Sequence, residues 1–398
     1  MRYNRTYNSH KQSSKLHQDR DFSPEEENAG ETTTDGSETK LAAEEATSTS
    51  RQLSDEYYRS LITDGQYQTS ANRGATLGTN SNYNLKAFET GLLEISQEHF
   101  STDNHLIQEG QYLDSSTVNK WLERYRPEGK GFNQYGDPIT VDESSQNLEG
   151  LNPQHNGSKE PDERTPIFLE SILEQNYVTE TENGYKLSGI SIGLAMNTVD
   201  YYQKKQFDAT FETKISEEEL IQQGKEMADK IIERMRQIEG LEEIPIVVGI
   251  FKQTPQDSLA GGSYVAEGVS ENGSNSVGGW TNLSVKKLVF PLQGGESTEL
   301  NSFQNFKSEV ESFFPNLSGV TAEATYIDDT LVKMKVDIVT QFYGETEVIA
   351  FTQHVYDQAV KFLPPNIPIE ISISSIKGME AFLARETGEN QFYSHVFD

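Results

Sequence analysis

Apolar residues recur at spacings of three and four between positions 84 and 100, where Leu85, Phe88, Leu92 and Ile95 share one side of a predicted helix. A shorter helix is predicted after Asp114, with Val118, Trp121, Leu122 and Tyr125 on one face. From 126 to 165 the chain is polar and broken by Pro127, Pro138, Pro153 and Pro161, which reads as a long irregular segment. Regular patterning then begins. Thr165-Pro166 opens a predicted helix, with proline at the first helical position and Phe168, Ile172 and Leu173 inward. Between 184 and 197, Ile190, Ile192, Leu194 and Met196 alternate with Gly189, Ser191, Gly193 and Ala195, the period of a strand. Ser216 and Glu219 form a capping box ahead of a helix that turns Leu220, Met227, Ile231, Met235 and Ile238 inward and stops at Gly240. Positions 244–251 (IPIVVGIF) read as a buried strand.

A similar order returns downstream. Ser302 precedes a predicted helix bearing Phe303, Phe306, Val310 and Phe313. Strands are predicted at 320–327 and 331–342, joined at Asp328-Asp329-Thr330. A helix over 345–363 and a strand at 367–371 follow. Both halves run helix, strand, long helix, strand, and both final strands begin Ile-Pro-Ile. This predicts an α+β fold of mixed, largely antiparallel sheets with packed helices, arranged as two related half-units, rather than a Rossmann fold. The divisions expected are a disordered acidic tether over 1–56, a mostly helical and irregular region over 57–165, a first α+β unit with a glycine-rich loop over 166–300, and a second over 301–398.

The tether follows from composition. Residues 19–50 hold ten carboxylates against Arg20 and Lys40, and their only large apolar side chains are Phe22 and Leu41. Such a segment buries too little to offset the ~1–2 kcal/mol per residue of backbone entropy that ordering costs. Over the whole chain 63 acidic residues face 33 basic ones, a net charge of −30. That argues against nucleic acid as a partner, because phosphate binding needs a basic face. With no cysteine there is no disulfide, thiolate metal site or cysteine nucleophile. No apolar run approaches the length of a membrane span.

Candidate chemistry is sparse. Gly189-Ile190-Ser191-Ile192-Gly193 matches the G-x-S-x-G spelling of serine hydrolases, but the strand period runs straight through it instead of breaking at a sharp turn. Packing of small residues is the expectation there, with no catalytic residue assigned. None of the seven histidines falls at H-E-x-x-H or zinc-finger spacing; His99 and His105 flank a turn, where surface histidines are commoner than metal ligands. No cofactor or metal is expected. The richest stretch is 259–280, LAGGSYVAEGVSENGSNSVGGW, expected as a loop between strands. It offers Tyr264 and Trp280 as ligand contacts, with Tyr201 and Tyr202 on the same surface.

Several segments in order carry a family resemblance. They are the run from Phe88 (FETGLLEISQEHFSTDNHLIQEGQYLDSSTVNKWL), Gly150-Leu151-Asn152-Pro153, 166–177 (PIFLESILEQNY), 187–202 (LSGISIGLAMNTVDYY), 222–227, and 244–253 (IPIVVGIFKQ). The chain from about Tyr57 onward resembles the CamS family, the staphylococcal sex-pheromone precursor lipoproteins. The resemblance implies an exported protein on the outer face of a bacterial membrane, held by a lipid on a lipobox cysteine, with the pheromone cut from the removed signal peptide. The sequence has neither that cysteine nor a leader, so a truncated mature part is expected. The expected role is an extracellular binding or accessory domain with a cell-wall or peptide partner and no enzyme activity. An extracellular hydrolase and a surface adhesin are the alternatives.

Overall fold

The computed structural model describes residues 46–397 apart from 55–56, 74–77, 292–296 and 315–318. Residues 1–45, most of the expected tether, lie outside the described residues. The sheet takes in the next residues: β1 (Ala46–Ser48) pairs antiparallel with β2 (Arg59–Thr63), inside the stretch read as tether. Next come β3 (Gln66–Tyr67), α1 (Asn82–Gln97), β4 (Leu106–Glu109), α2 (Ser115–Leu122), and a small hairpin of β5 (Gly129–Phe132) and β6 (Pro138–Val141). Then follow β7 (Leu169–Thr181), β8 (Gly184–Met196), β9 (Val199–Tyr202), β10 (Phe211–Lys214), α3 (Glu217–Met235), β11 (Ile246–Lys252), β12 (Ser263–Ser270) and β13 (Gly278–Asn282). The first sheet has the order β1-β2-β4-β7-β8-β11-β12-β13, with β3 attached to β2. The second sheet holds β14 (Val285–Phe290), β15 (Gly319–Ile327), β16 (Thr330–Val339), β17 (Ile369–Ser375), β18 (Gly378–Arg385) and β19 (Tyr393–Val396) in chain order. Two further helices, α4 (Thr298–Phe313) and α5 (Glu345–Phe362), belong to this second part.

The architecture is therefore mixed α+β with mostly antiparallel pairing, as the patterning predicts. Three local readings are corrected. The helix expected from Thr165 is the 13-residue strand β7, paired along its length with β8. Its Leu, Glu and Gln favour helix, but a strand between two others satisfies its backbone and buries both of its faces, and that tertiary gain overrides propensity. The glycine-rich stretch expected as a loop is mostly strand: β12 is hydrogen-bonded to β11 and β13. Helix α4 begins at Thr298, not Ser302, because the Ser297 side chain accepts from Leu300 N at 3.1 Å.

With β7 a strand, the two halves match more closely than the sequence pattern indicated. In the first, the β7–β8 antiparallel pair is followed by α3, by β11 parallel to β8, and by β12 antiparallel to β11. In the second, the β15–β16 pair is followed by α5, β17 parallel to β16, and β18 antiparallel to β17. The β15–β16 turn uses Asp328 and Asp329, both at positive φ as a tight hairpin demands.

The helices are covered differently. Ile190, Ile192, Leu194, Val248 and Ile250 form one core with Leu220, Met227, Ile231 and Met235 of α3. The opposite face of the same sheet carries Ala195, Val247, Phe251 and Tyr264 against Phe88, Leu92 and Ile95 of α1. In the second half α4 and α5 share a single core containing Phe303, Phe306, Phe351 and Ile371. The first sheet is thus sandwiched between helices.

Candidate functional site

The structure separates the four aromatic residues picked from the sequence. Tyr264 lies in the core, 4% exposed, its hydroxyl donating to Phe88 O at 2.9 Å and its ring against Phe88 and Phe251. Burial pushes its phenol well above the ordinary value. Trp280 sits half-buried on β13, with Lys225 Nζ 5.2 Å above its ring. Tyr201 and Tyr202 instead line a cleft of about 780 Å³ to which neither Tyr264 nor Trp280 contributes. Ser191 is fully buried in β8 and accepts from Ser96 Oγ at 2.7 Å. His99 faces Glu267 at 3.5 Å, and His105 Nδ1 lies 2.9 Å from Ser101 O.

The cleft is built on the Gly150-Leu151-Asn152-Pro153 segment. A side chain at Gly150 would put its Cβ 2.4 Å from the Arg124 carbonyl carbon, so only glycine permits this approach. Leu151 is buried beside α2, with its N–H bonded to Trp121 O at 2.8 Å. Asn152 is a four-way clasp: its Oδ1 accepts from Phe168 N and Leu169 N at 2.8 and 2.9 Å, and its Nδ2 donates to Leu122 O and Leu169 O at 2.7 and 2.8 Å. Arg124 then ties the segment down, donating to Pro153 O at 2.9 Å and Thr165 O at 2.8 Å. The polar, proline-broken segment is therefore held by side-chain to backbone bonds where regular structure supplies none.

Five rings line the cleft: Tyr125, Phe132, Tyr135, Tyr201 and Tyr202. Three guanidinium groups accompany them, from Arg124, Arg126 and Arg164, with Glu123 and Asp200 as the counter-charges. Arg164 is buried, ion-paired to Asp200, and stacked 3.9 Å from the centroid of the Tyr202 ring. Asp200 also accepts from Ile167 N at 2.8 Å. Burial, reinforced by Arg164, lowers the Arg124 guanidinium to about 10. His155 is 4% exposed and falls to about 4, first through burial and then through the positive charge of Arg124, Arg164 and Lys159. It is a neutral imidazole at physiological pH.

Internal bonds fix several of these side chains by their acceptor atoms. His155 Nδ1 accepts from Gly157 N at 2.9 Å, so the neutral ring carries its proton on Nε2. Tyr201 Oη accepts from Gln256 N at 3.1 Å. Asn133 Oδ1 accepts from Tyr135 N at 2.9 Å and Asp137 N at 3.0 Å. Tyr202 Oη is occupied differently, donating to Lys159 O at 2.8 Å.

Most of these residues come from 123–167, the stretch in which the sequence shows only prolines and polarity. The one available signal was its length, since a long irregular segment within a compact body tends to carry function. Among the described residues there is no cluster of three or more metal-ligating side chains, and no helix is long and apolar enough to cross a membrane.

Residues 67–391 match the family of the CamS sex pheromone cAM373 precursor. The fold is similar to the crystal structure of a sex pheromone precursor from Lactobacillus salivarius subsp. salivarius UCC118, at 39% identity and a TM-score of 0.80, covering 89% of this chain and 99% of that one. It is also similar to the C-terminal domain of the sex pheromone staph-cAM373 precursor from Staphylococcus aureus, at 30% identity and a TM-score of 0.66, covering 81% and 99%. No curated protein matches. This is a family of pheromone precursors rather than a known class of enzymes, and it suggests a secreted or surface protein. The chain belongs to the CamS sex pheromone cAM373 precursor family.

Proposed function

We propose that the folded body is the extracellular binding domain of a surface lipoprotein, released from a precursor whose leader supplies the pheromone, and that it binds a cell-wall or peptide partner in the Tyr201–Tyr202 cleft. The observation that carries this reading is the gathering of five aromatic rings and three guanidinium groups around one opening of about 780 Å³. That size falls in the range of sites that hold a small ligand. Aromatic platforms give large contact area at low entropic cost, and tyrosine and arginine are favoured where binding energy concentrates. The polar groups support binding over catalysis. Asp200 is committed to Arg164 and Ile167 N, and His155 to Gly157 N, so neither forms an acid–base pair with a nucleophile. The pheromone-precursor family supports export and lipid anchoring.

The test uses the folded body and its Tyr201→Ala variant against fragmented cell wall and a peptide library. The body is expected to retain one of these, and the variant to bind it roughly tenfold more weakly, a loss on the scale of one well-packed aromatic contact. Retention of neither, or equal retention by the variant, overturns the reading. Anchoring is checked by mass spectrometry of the protein extracted from membranes, with a diacylglyceryl-modified cysteine as the expected result.

A further inference from the structure

The hydrogen-bonding groups around the cleft are one-sided. His155, Tyr201 and Asn133 are each held through an acceptor atom by a backbone N–H. In every case the group left over is a donor. For His155 it is the Nε2 proton, because Nδ1 is taken. For Tyr201 it is the hydroxyl proton, and for Asn133 it is the amide Nδ2, because Oδ1 already takes two N–H groups. Asn133 Nδ2 is answered by the Asp137 carboxylate, whereas the His155 and Tyr201 donors have no protein partner among the described residues. His155 is 4% exposed, so its donor is fixed in direction by a ring that cannot turn without leaving Gly157 N. Arg126 adds charge at the rim: its Nε is bound to Ser145 O at 2.8 Å, while Nη2 reaches Glu123 at only 3.5 Å.

A lining that offers donors selects a ligand rich in acceptors. The sign of charge agrees. In a chain of net charge −30, this opening collects three arginines against Glu123 and Asp200, and Asp200 is already neutralised by buried Arg164. Tyr125, Phe132, Tyr135 and Tyr201 supply faces for a flat apolar surface. Resting on the reading of this cleft as the binding site, we infer that its ligand carries a carboxylate beside a flat apolar face. A sugar acid and the free C-terminus of a peptide with an aromatic residue share that chemistry. The carboxylate takes the protons of His155 Nε2 and Tyr201 Oη, and the apolar face lies on the rings. Charge-assisted bonds of this kind are about twice as strong as neutral ones.

Two pairs of probes separate the sources: N-acetylmuramic acid against N-acetylglucosamine, and an N-acetylated phenylalanyl dipeptide acid against its amide. Binding is followed by NMR on the intact protein. In one pair the acid is expected to bind at least tenfold tighter than its neutral counterpart, and that pair names the source. Tyr201→Phe, which removes only the hydroxyl, is expected to reduce the preference for the acid several-fold while leaving the neutral probe unaffected, with circular dichroism checking its fold. If acid and neutral probes bind the cleft equally, or if Tyr201→Phe retains the full preference, the carboxylate inference is wrong while the cleft stands as a binding site. If no probe binds at millimolar concentration, the inference fails, and retention of wall or peptide material then decides the fate of the wider reading.

Discussion

Asp200 answers two donors at once, the Arg164 guanidinium and the Ile167 N–H, at a position 6% exposed. Removing it strands a buried cation. Asp200→Ala is expected to cost about 3–5 kcal/mol in urea unfolding, the usual loss when one member of a buried pair is deleted. Lys335→Ala, which breaks a half-exposed pair with Glu370 at 3.5 Å, should stay within about 1 kcal/mol. His155 gives the same region a pH signature. Its folded value is about 4 against an ordinary 6.5. Between those values the unfolded chain binds a proton that the native protein does not, so stability rises with pH across the window and is lost as pH falls through it. The stability advantage of wild type over His155→Gln is therefore expected to be smaller near pH 5 than near pH 7, as read from urea midpoints. An advantage independent of pH would mean that His155 titrates alike in the native and unfolded chain.

Helix α1 meets the first sheet across a strip of glycines and small residues, and this fixes what an added methyl does. A Cβ at Gly193 would lie 2.7 Å from both Phe88 Cε2 and Tyr264 Oη, side chains that are themselves buried. Gly193→Ala is expected to destabilise by about 1–3 kcal/mol through overpacking. Gly319→Ala, which meets no atom of the described residues within 4 Å, should be within ~0.5 kcal/mol of neutral. The strip was legible in the sequence because Ile190 to Met196 keep a strict period of two, which rules out a nucleophile elbow. Strand β7 was not legible. Its apolar residues fit a helical spacing, and its buried polar residues look surface-facing until their partners are known. Glu174 is 1% exposed because three backbone N–H groups, of Gln111, Tyr112 and Leu113, converge on its carboxylate at 2.8–3.1 Å. Those donors lie more than sixty residues upstream, beyond the reach of any local pattern. Tyr264 failed as a surface residue for a related reason: the glycines beside it in sequence read as a loop, while the hollow for its ring is made by Gly91, Gly193 and Gly249 on other elements.

At the scale of the molecule, a charge of −30 makes self-repulsion a steady opponent of the compact state. Raising sodium chloride from about 10 mM to about 150 mM shortens the screening length from ~30 to ~8 Å, and the melting temperature is expected to rise. A fall would show that attractive pairs outweigh the repulsion. Family and fold class were both readable from the chain, because long amphipathic helices and alternating strands carry strong local signals. The cleft was not, because His155, Asn133 and Arg164 acquire meaning only through where an irregular segment is pinned. The sandwiching of the first sheet has a kinetic consequence. Asn84 bonds to Thr254 across 170 residues, and Phe88 accepts from Tyr264 across 176. Closing a loop of that length costs roughly 4–5 kcal/mol of chain entropy before any contact rewards it. Helix α1 can therefore complete its docking only after β12 exists, although it is made long before. A nascent chain ending before Tyr264 leaves Phe88 without one of its ring partners, so folding of this half is expected to complete only once synthesis has passed β12.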